Sequence, residues 1–338
     1  MIKPFEFWHP RIAEAPYYAA LLARCAAHGL PPKYLAKANY ALDHGELGLG
    51  SKYATQLKFD QEYFPATKQI NFDNPANAMT EVNAFAQDQP ADLILKPDIG
   101  AVGKGVIRIC PEAGTEIQLP SLTGSYLLQA FCPHPEEFGV FYVRQRGVGR
   151  ITGINRKHFP TVIGDGQKNL GQLAQDHYRF TDHWRIFLKY LDTNKVPNAG
   201  EKVRLSFIGS HTMGCMFTDD THLYTRSLQD ALDQFCSDQP GFNFGRLDVR
   251  TESEEALRDG EFTVIEVNGI ASLPTHMFDP TLRVRRAYEI FLHHAKLLVD
   301  TAVEHRHKKM SLDSYGEIWA KAKSNHTELN RLHEAAMN

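Results

Sequence analysis

Two segments that alternate apolar and polar side chains constrain this chain more than any other feature. They are FGRLDVR at 244–250 and FTVIEVNG at 262–269. Side chains alternate between the two faces of a strand. Arg246 and Asp248 therefore share one face of the first segment, with Leu247 and Val249 on the other. Glu266 and Asn268 share a face of the second, opposite Ile265 and Val267. If the strands pair, two carboxylates, an amide and an arginine converge on one side of an apolar sheet. Oxygen donors of this kind suit Mg²⁺, and an arginine beside them suits a transferring phosphoryl group or an oxyanion. Alternation is also the ordinary look of a half-exposed sheet. For either strand alone, a solvated polar face remains the alternative.

A glycine-rich segment lies upstream, LILKPDIGAVGKGV at 93–106. Lys96 ends an apolar strand, Gly100, Gly103 and Gly105 follow, and Lys104 stands between the last two. Glycines let backbone N–H groups approach phosphate oxygens closely, and a lysine adds a point charge. No GK[ST] follows at the spacing of a Walker A loop, and the dinucleotide fingerprint is absent. The alternative is a hairpin turn carrying a surface lysine.

The rest of the chain supplies a frame. Its 338 residues allow two or three sub-domains. The 43% hydrophobic and 23% charged content is that of an ordinary globular protein. A net charge of −3 argues against a nucleic-acid binder, which needs a large positive field. The five cysteines show no CxxC spacing, so neither a zinc site nor a disulfide framework is expected, and a reducing cytoplasm fits. No signal peptide is read at the N-terminus. The most apolar early stretch, 15–27, contains Arg24 and is too short to span a bilayer.

Helices are expected over 12–27, from Ser51, over 75–86 with Asn74 as N-cap, over 170–191 and over 228–236, and the tail from 284 reads as mostly helical. Residues 157–170 read as a loop. Strands and helices alternate without a sustained period of either kind, which gives an α/β or α+β class.

Taken together, these segments resemble the ATP-grasp superfamily, in particular its carboxylate–amine ligases of the D-alanine–D-alanine ligase and cyanophycin synthetase type. The resemblance spans about residues 64–279 and follows the family's motif order. The order runs from the KP-glycine loop at 96–106 and a hinge strand at 128–131 to EFGVFYV at 137–143. VIGDG at 162–166, RLD at 246–248 and EVNG at 266–269 complete it. It implies a nucleotide held between two α+β sub-domains, behind a reduced N-terminal α/β domain. The implied division is 1–74 (N-terminal), 75–149 (central lid), 150–300 (metal-bearing) and 301–338 (helical tail).

The resemblance also implies roles. Lys96, Gly100, Gly103, Lys104 and Gly105 would meet the phosphates. Gln129, Ala130 and Phe131 would form the adenine hinge, and Glu137 would bind the ribose hydroxyls. The family's hinge begins with an acidic residue and here stands Gln129, so the backbone is expected to serve the adenine edge. Asp248, Glu266 and Asn268 would bind Mg²⁺, with Mn²⁺ as the alternative metal, and Arg246 would stabilise an acyl phosphate. Residues 38–52 (ANYALDHGELGLGSK), 209–217 (GSHTMGCMF) and 270–280 (IASLPTHMFDP) resemble a less familiar group of the superfamily, which carries no substrate assignment.

The implied reaction is ATP-dependent joining of a carboxylate to an amine through an acyl phosphate, with amino acids or peptides as substrates. A phosphotransferase on the same fold and a nucleotide-binding regulator without turnover are the alternatives. Lys157 is read as a lid-loop lysine within reach of phosphate, or as a solvated one. His211 and His276 are read as acceptor contacts or as structural groups. His293, His294, His305 and His307 are read as a solvated helix face. Cys215 has no evident base and receives no nucleophilic role. The amphipathic tail is compatible with a homodimer. No nucleic-acid or membrane partner is expected.

Overall fold

The computed structural model describes residues 5–47, 50–89, 91–111, 117–180, 184 and 188–337. Two antiparallel sheets dominate it. The first holds β1 (Thr67–Asn71), β2 (Leu93–Pro97), β3 (Ile107–Ile109) and β4 (Ser125–Ala130), in the order β1-β4-β2-β3. The Pro75–Asp88 helix packs Ala78 and Val82 against Ile70, Leu93 and Leu95 of this sheet. It starts where expected. Asn74 accepts from the Asn77 N–H at 3.3 Å, and Pro75 gives up only a donor that has no intrahelical partner.

β5 (Glu136–Gln145) and β6 (Val148–His158) form a long hairpin. Its two-residue turn puts Arg146 at φ 53° and Gly147 at φ 74°, the left-handed pair that matches strand twist. β7 (Thr161–Ile163) and β8 (Lys202–Arg204) make a small separate pair. β9 (Met216–Asp219), β10 (Phe244–Thr251) and β11 (Thr263–Asn268) complete the second sheet, in the order β11-β10-β5-β6-β9. Because β5 pairs with β10 over 136–143 and with β6 to its end, 136–145 belong to the second sheet. The divide between the sheets thus falls at 131–135 rather than at 149. β1 likewise joins the first sheet across the expected boundary at 74. Residues 5–63 form helices and turns, with no strand among the described residues, so the N-terminal part is a helical layer.

One face of the second sheet is apolar over its centre and gives way to Arg156 and Thr218 toward β9. Phe138, Val140, Leu247 and Val249 pack on Leu228, Leu232 and Phe235 of the Arg226–Ser237 helix. The other face is divided along the strands. Phe141, Val143 and Phe244 lie under the Ala15–Ala27 and Val284–Glu304 helices. Beyond them, toward Arg246 and Asp248, the same face turns polar.

The sequence reading differs from the structure at three further places. Lys157 and His158 continue β6 and are not part of a loop. Over 170–191 the described residues are helical at Leu170–Gln175 and again at Leu188, with Trp184 in a tighter 3-10 turn, and 181–183 and 185–187 lie outside them. His293 and His307 are exposed as expected, whereas His294 is 1% exposed. It falls on the apolar stripe of its helix, where its Nε2 lies 3.1 Å from Thr152 Oγ1 and its Nδ1 3.0 Å from the Ile290 carbonyl. No helix among the described residues is long and apolar enough to cross a membrane.

Candidate active site

The polar end of the second sheet floors a cleft of about 500 Å³, faced by β2, β4 and the glycine loop of the first sheet. Register lines the floor up in rows. Asn155, Gly139, Asp248 and Glu266 stand opposite one another across β6, β5, β10 and β11. Arg250 faces Glu137, and Arg246 faces Asn268. Gly139 is required in this lattice. A Cβ there would come within 2.3 Å of Asn155 Oδ1 and 2.9 Å of Arg246 Cδ. Only a bare backbone lets the arginine lie across the sheet.

The floor is an ionic network. Arg246 Nε donates to Asp248 Oδ1 at 2.7 Å and its NH2 to Oδ2 at 3.1 Å. Lys157 Nζ lies 3.1 Å from Asp248 Oδ2 and 2.9 Å from Glu137 Oε1. Arg250 Nε donates to Glu137 Oε2 at 2.9 Å. Burial works against charge on Asp248, but Arg246 and Lys157 outweigh it and hold its carboxyl at about 2. Burial likewise opposes charge on Glu137, and Lys157 and Arg250 keep it below the usual range. Lys157 is buried too, and its two carboxylates raise its pKa.

Lys96 is the exception. Its Nζ donates to Gln129 Oε1 at 3.1 Å and to the Ile265 carbonyl at 3.2 Å, both neutral. Among the described residues it has no ion-pair partner, and burial lowers its pKa.

Of the other expected site residues, Gly100, Gly103, Lys104, Gln129, Ala130, Phe131, His211 and Asn268 also line the cleft. Gly105 does not. The Lys104 ammonium points to the tail helix, 3.1 Å from Asn330 Oδ1. The Gln129 amide is committed to Lys96 and to Thr67 Oγ1 (3.0 Å). The N–H groups of Ala130 and Phe131 donate to Ala66 and Asp92 carbonyls at 2.8 Å each. The hinge donors at these two positions are therefore spent, and the expected backbone service to an adenine edge cannot come from them. Both Glu137 oxygens are held by cations, so a ribose hydroxyl would have to share them. His211 sits with Nε2 3.3 Å from Glu6 Oε2, its ring stacked on Phe278 at 5.3 Å between centroids. His276 is a buried neutral group whose pKa burial brings down to about 4. Cys215 Sγ donates to the Ile208 carbonyl, and burial pushes its thiol up to about 12, so it stays protonated.

Sequence reading passed over several groups. Arg250 follows Arg246 and Asp248 on the same strand phase, so alternation carried far enough finds it. Asn155 fills the same sheet row as Asp248. Lys52 Nζ lies 3.2 Å from Glu266 Oε1 and also bonds the Gly100 carbonyl. Glu46, at φ 55°, bonds the Gly269 N–H at 2.7 Å and the Thr55 hydroxyl. Glu6 is buried against Arg179. The last three come from the helical N-terminal layer, where no local period announces a site.

No family model and no curated protein sequence matches this chain. Solved structures with similar coordinates include a bifunctional glutathione synthetase from Pasteurella multocida. It is 13% identical, with a TM-score of 0.39, over 76% of this chain and 38% of that one. A D-alanine–D-alanine ligase from Bacillus anthracis is 12% identical with a TM-score of 0.42, over 76% of this chain and 68% of that one. A carboxyaminoimidazole ribonucleotide synthase from Aspergillus clavatus, complexed with ATP, is 8% identical with a TM-score of 0.36, over 65% and 44%. The chain thus spans well under half of the first of these proteins. All three are distant.

The donor set fits a hard divalent cation. Asp248 and Glu266 are cross-strand partners, and the Asn268 amide stands beside them with Nδ2 3.4 Å from Asp248 Oδ2. That leaves its oxygen available to a metal. Among the described residues no group of three or more His, Cys, Asp or Glu gathers for a metal, so such a site must complete its coordination with substrate oxygens.

Proposed function

We propose that this chain is an ATP-grasp enzyme. It joins a carboxylate to an amine at the expense of ATP, through an acyl phosphate, and releases ADP and phosphate. The observation that carries the reading is Lys96. Burial of this ammonium is costly, because it has no direct ion-pair partner among the described residues and feels Glu266, Glu137 and Asp248 only at longer range. It faces a cleft floored by further cations and by oxygen donors suited to Mg²⁺. A polyphosphate supplies a directly paired negative charge.

In this reading Lys96 and the glycine loop at 100–104 hold the phosphates, with Lys104 drawn in from Asn330. Asp248, Glu266 and Asn268 hold Mg²⁺, which when bound neutralises phosphate charge. Arg246, fixed by Asp248 above Gly139, faces the oxygens of the transferring group. Lys157 and Arg250 keep the floor rigid. Phosphoryl transfer is mostly positioning and charge neutralisation, which such a preorganised floor provides. Glu14 and Glu6 line the end of the cleft walled by residues 6–14, and since Arg179 already pairs with Glu6, Glu14 is the carboxylate there that would favour an amine. His211, held by Glu6, adjoins that end.

The test is incubation with ATP, Mg²⁺ and a panel of amino acids, following ADP, free phosphate and product mass. Phosphate release that requires both a carboxylate and an amine is expected. A phosphorylated product without free phosphate would establish a phosphotransferase instead, and nucleotide binding without turnover a regulator.

A further inference from the structure

Glu46, Gly50 and Lys52, from the segment HGELGLGSK at 44–52, have no part in the reaction scheme above, yet they line the cleft. Lys52 makes two contacts, one to β11 and one to the glycine loop. The ammonium pairs with Glu266 on β11 at 3.2 Å and bonds the Gly100 carbonyl of the glycine loop. The short Lys52–Gln56 helix that carries it is seated firmly. Ser51 caps it, accepting from the Ala54 N–H at 3.0 Å and donating to Asp98 Oδ1 at 3.0 Å. Asp98 also takes the Tyr53 N–H at 2.9 Å, and its carbonyl takes the Lys52 N–H at 3.0 Å. The lysine is thus aimed at Glu266 by its backbone.

Both candidate metal carboxylates are therefore closed by an ammonium, Asp248 by Lys157 and Glu266 by Lys52. The two lysines are not equivalent. The Lys157 side chain is 4% exposed, springs from the middle of the sheet and is shared with Glu137. The Lys52 side chain is 18% exposed, its carboxylate partner 27% exposed, and a flexible four-carbon stem separates its charge from its anchored backbone. Only the second pair can open without breaking the buried network.

We propose that Lys52 is a place-holding cation. It occupies the metal position on Glu266 while the cleft is empty and passes to the nucleotide phosphates when the metal enters. The exchange is one of ion pairs alone. The Lys52–Glu266 and Lys52–Gly100 contacts would break, Glu266 would hold the divalent cation, and the ammonium would pair with phosphate oxygens of the nucleotide. Lys52 then makes free metal a poor ligand and metal–nucleotide a good one, because only the latter offers the displaced ammonium a new anion. The inference rests on the reading of this cleft as a metal–nucleotide site.

The two consequences have opposite signs, which makes the test sharp. Mn²⁺ alone, followed by paramagnetic resonance, should bind Lys52→Met about tenfold more tightly than the full-length wild-type chain, since a competing charge is gone. Mg·ATP, followed by calorimetry, should bind the same variant about fivefold or more weakly, since one phosphate partner is gone. Lys52→Gln should repeat both shifts, guarding against a folding defect peculiar to methionine. The gain in Mn²⁺ affinity should vanish in Lys52→Met/Glu266→Gln. Unchanged or weaker Mn²⁺ binding in the folded single variants overturns the proposal, as does absence of Mn²⁺ binding by every form. If no form binds Mg·ATP while the Mn²⁺ shift appears, the nucleotide reading fails and the metal exchange at Glu266 stands.

Discussion

Asp248 and Glu266 face each other across two strands, but their surroundings differ and so do the expected consequences of neutralising them. Asp248 is buried and pairs with Arg246 and Lys157. Asp248→Asn strands two buried cations, a change of the kind that costs about 3–5 kcal/mol. Glu266 is partly exposed and its one ion pair among the described residues is with Lys52, so Glu266→Gln should cost at most about 1 kcal/mol. Both should lower turnover by on the order of 100-fold or more, the scale seen when one charge-stabilising group is lost. Urea unfolding beside steady-state kinetics separates the two effects. Full activity in either variant would remove it from the metal set, and equal stabilities would mean that the Asp248 network is not holding the floor together.

Among the elements, the Lys52–Gln56 helix is too short to be stable by itself, and its position depends on the turn that follows β2. Asp98 in that turn is 4% exposed and accepts from Ser51, Tyr53 and Gln69, the last at 3.1 Å. Asp98→Ala leaves these donors without their acceptor and should cost about 2 kcal/mol or more. It should also weaken Mg·ATP binding, because Lys52 loses its fixed origin. Calorimetric affinity and chemical denaturation read the two outcomes. Loss of stability with unchanged affinity would show that the helix holds its place without the turn. The β strands behave differently. Phase alone places Arg246, Asp248 and Arg250 on one face and Leu247 and Val249 on the other, so their local pattern and tertiary role agree. The loop expected at 157 is strand because Phe217 and Met216 of β9 stand opposite Lys157 and His158 and extend the ladder.

For the molecule as a whole, the region where β5 and β6 meet the Val284–Glu304 helix carries a pair of neutral histidines. His276 and His294 lie 5.4 Å apart between ring centroids, with His293 and Arg286 nearby. Burial holds their pKa values at about 4 and about 3. Each is depressed below the unfolded value of about 6.5. The stability they contribute is therefore complete above that pH and is lost as pH falls toward the folded values. Two such groups give a slope of roughly 2–3 kcal/mol per pH unit below about pH 6. The buried carboxylates Asp248 and Glu137 add the same sign only below about pH 4. Denaturation curves at pH 7 and pH 5 check this, and equal stabilities would contradict it. Local alternation by itself determined the strand phase of β10 and β11, hence the shared face of Arg246, Asp248, Glu266 and Asn268, because side-chain direction in a strand has a fixed period of two. Local chemistry also determined the Asn74 cap. Only the tertiary structure decided that Gln129 and Glu137 are already committed, that Lys96 has no direct ion-pair partner among the described residues, that His294 is buried, and that Glu46 and Lys52 enter the site from some 200 residues away. Those facts depend on which elements close over the floor, and no local period of the sequence encodes that.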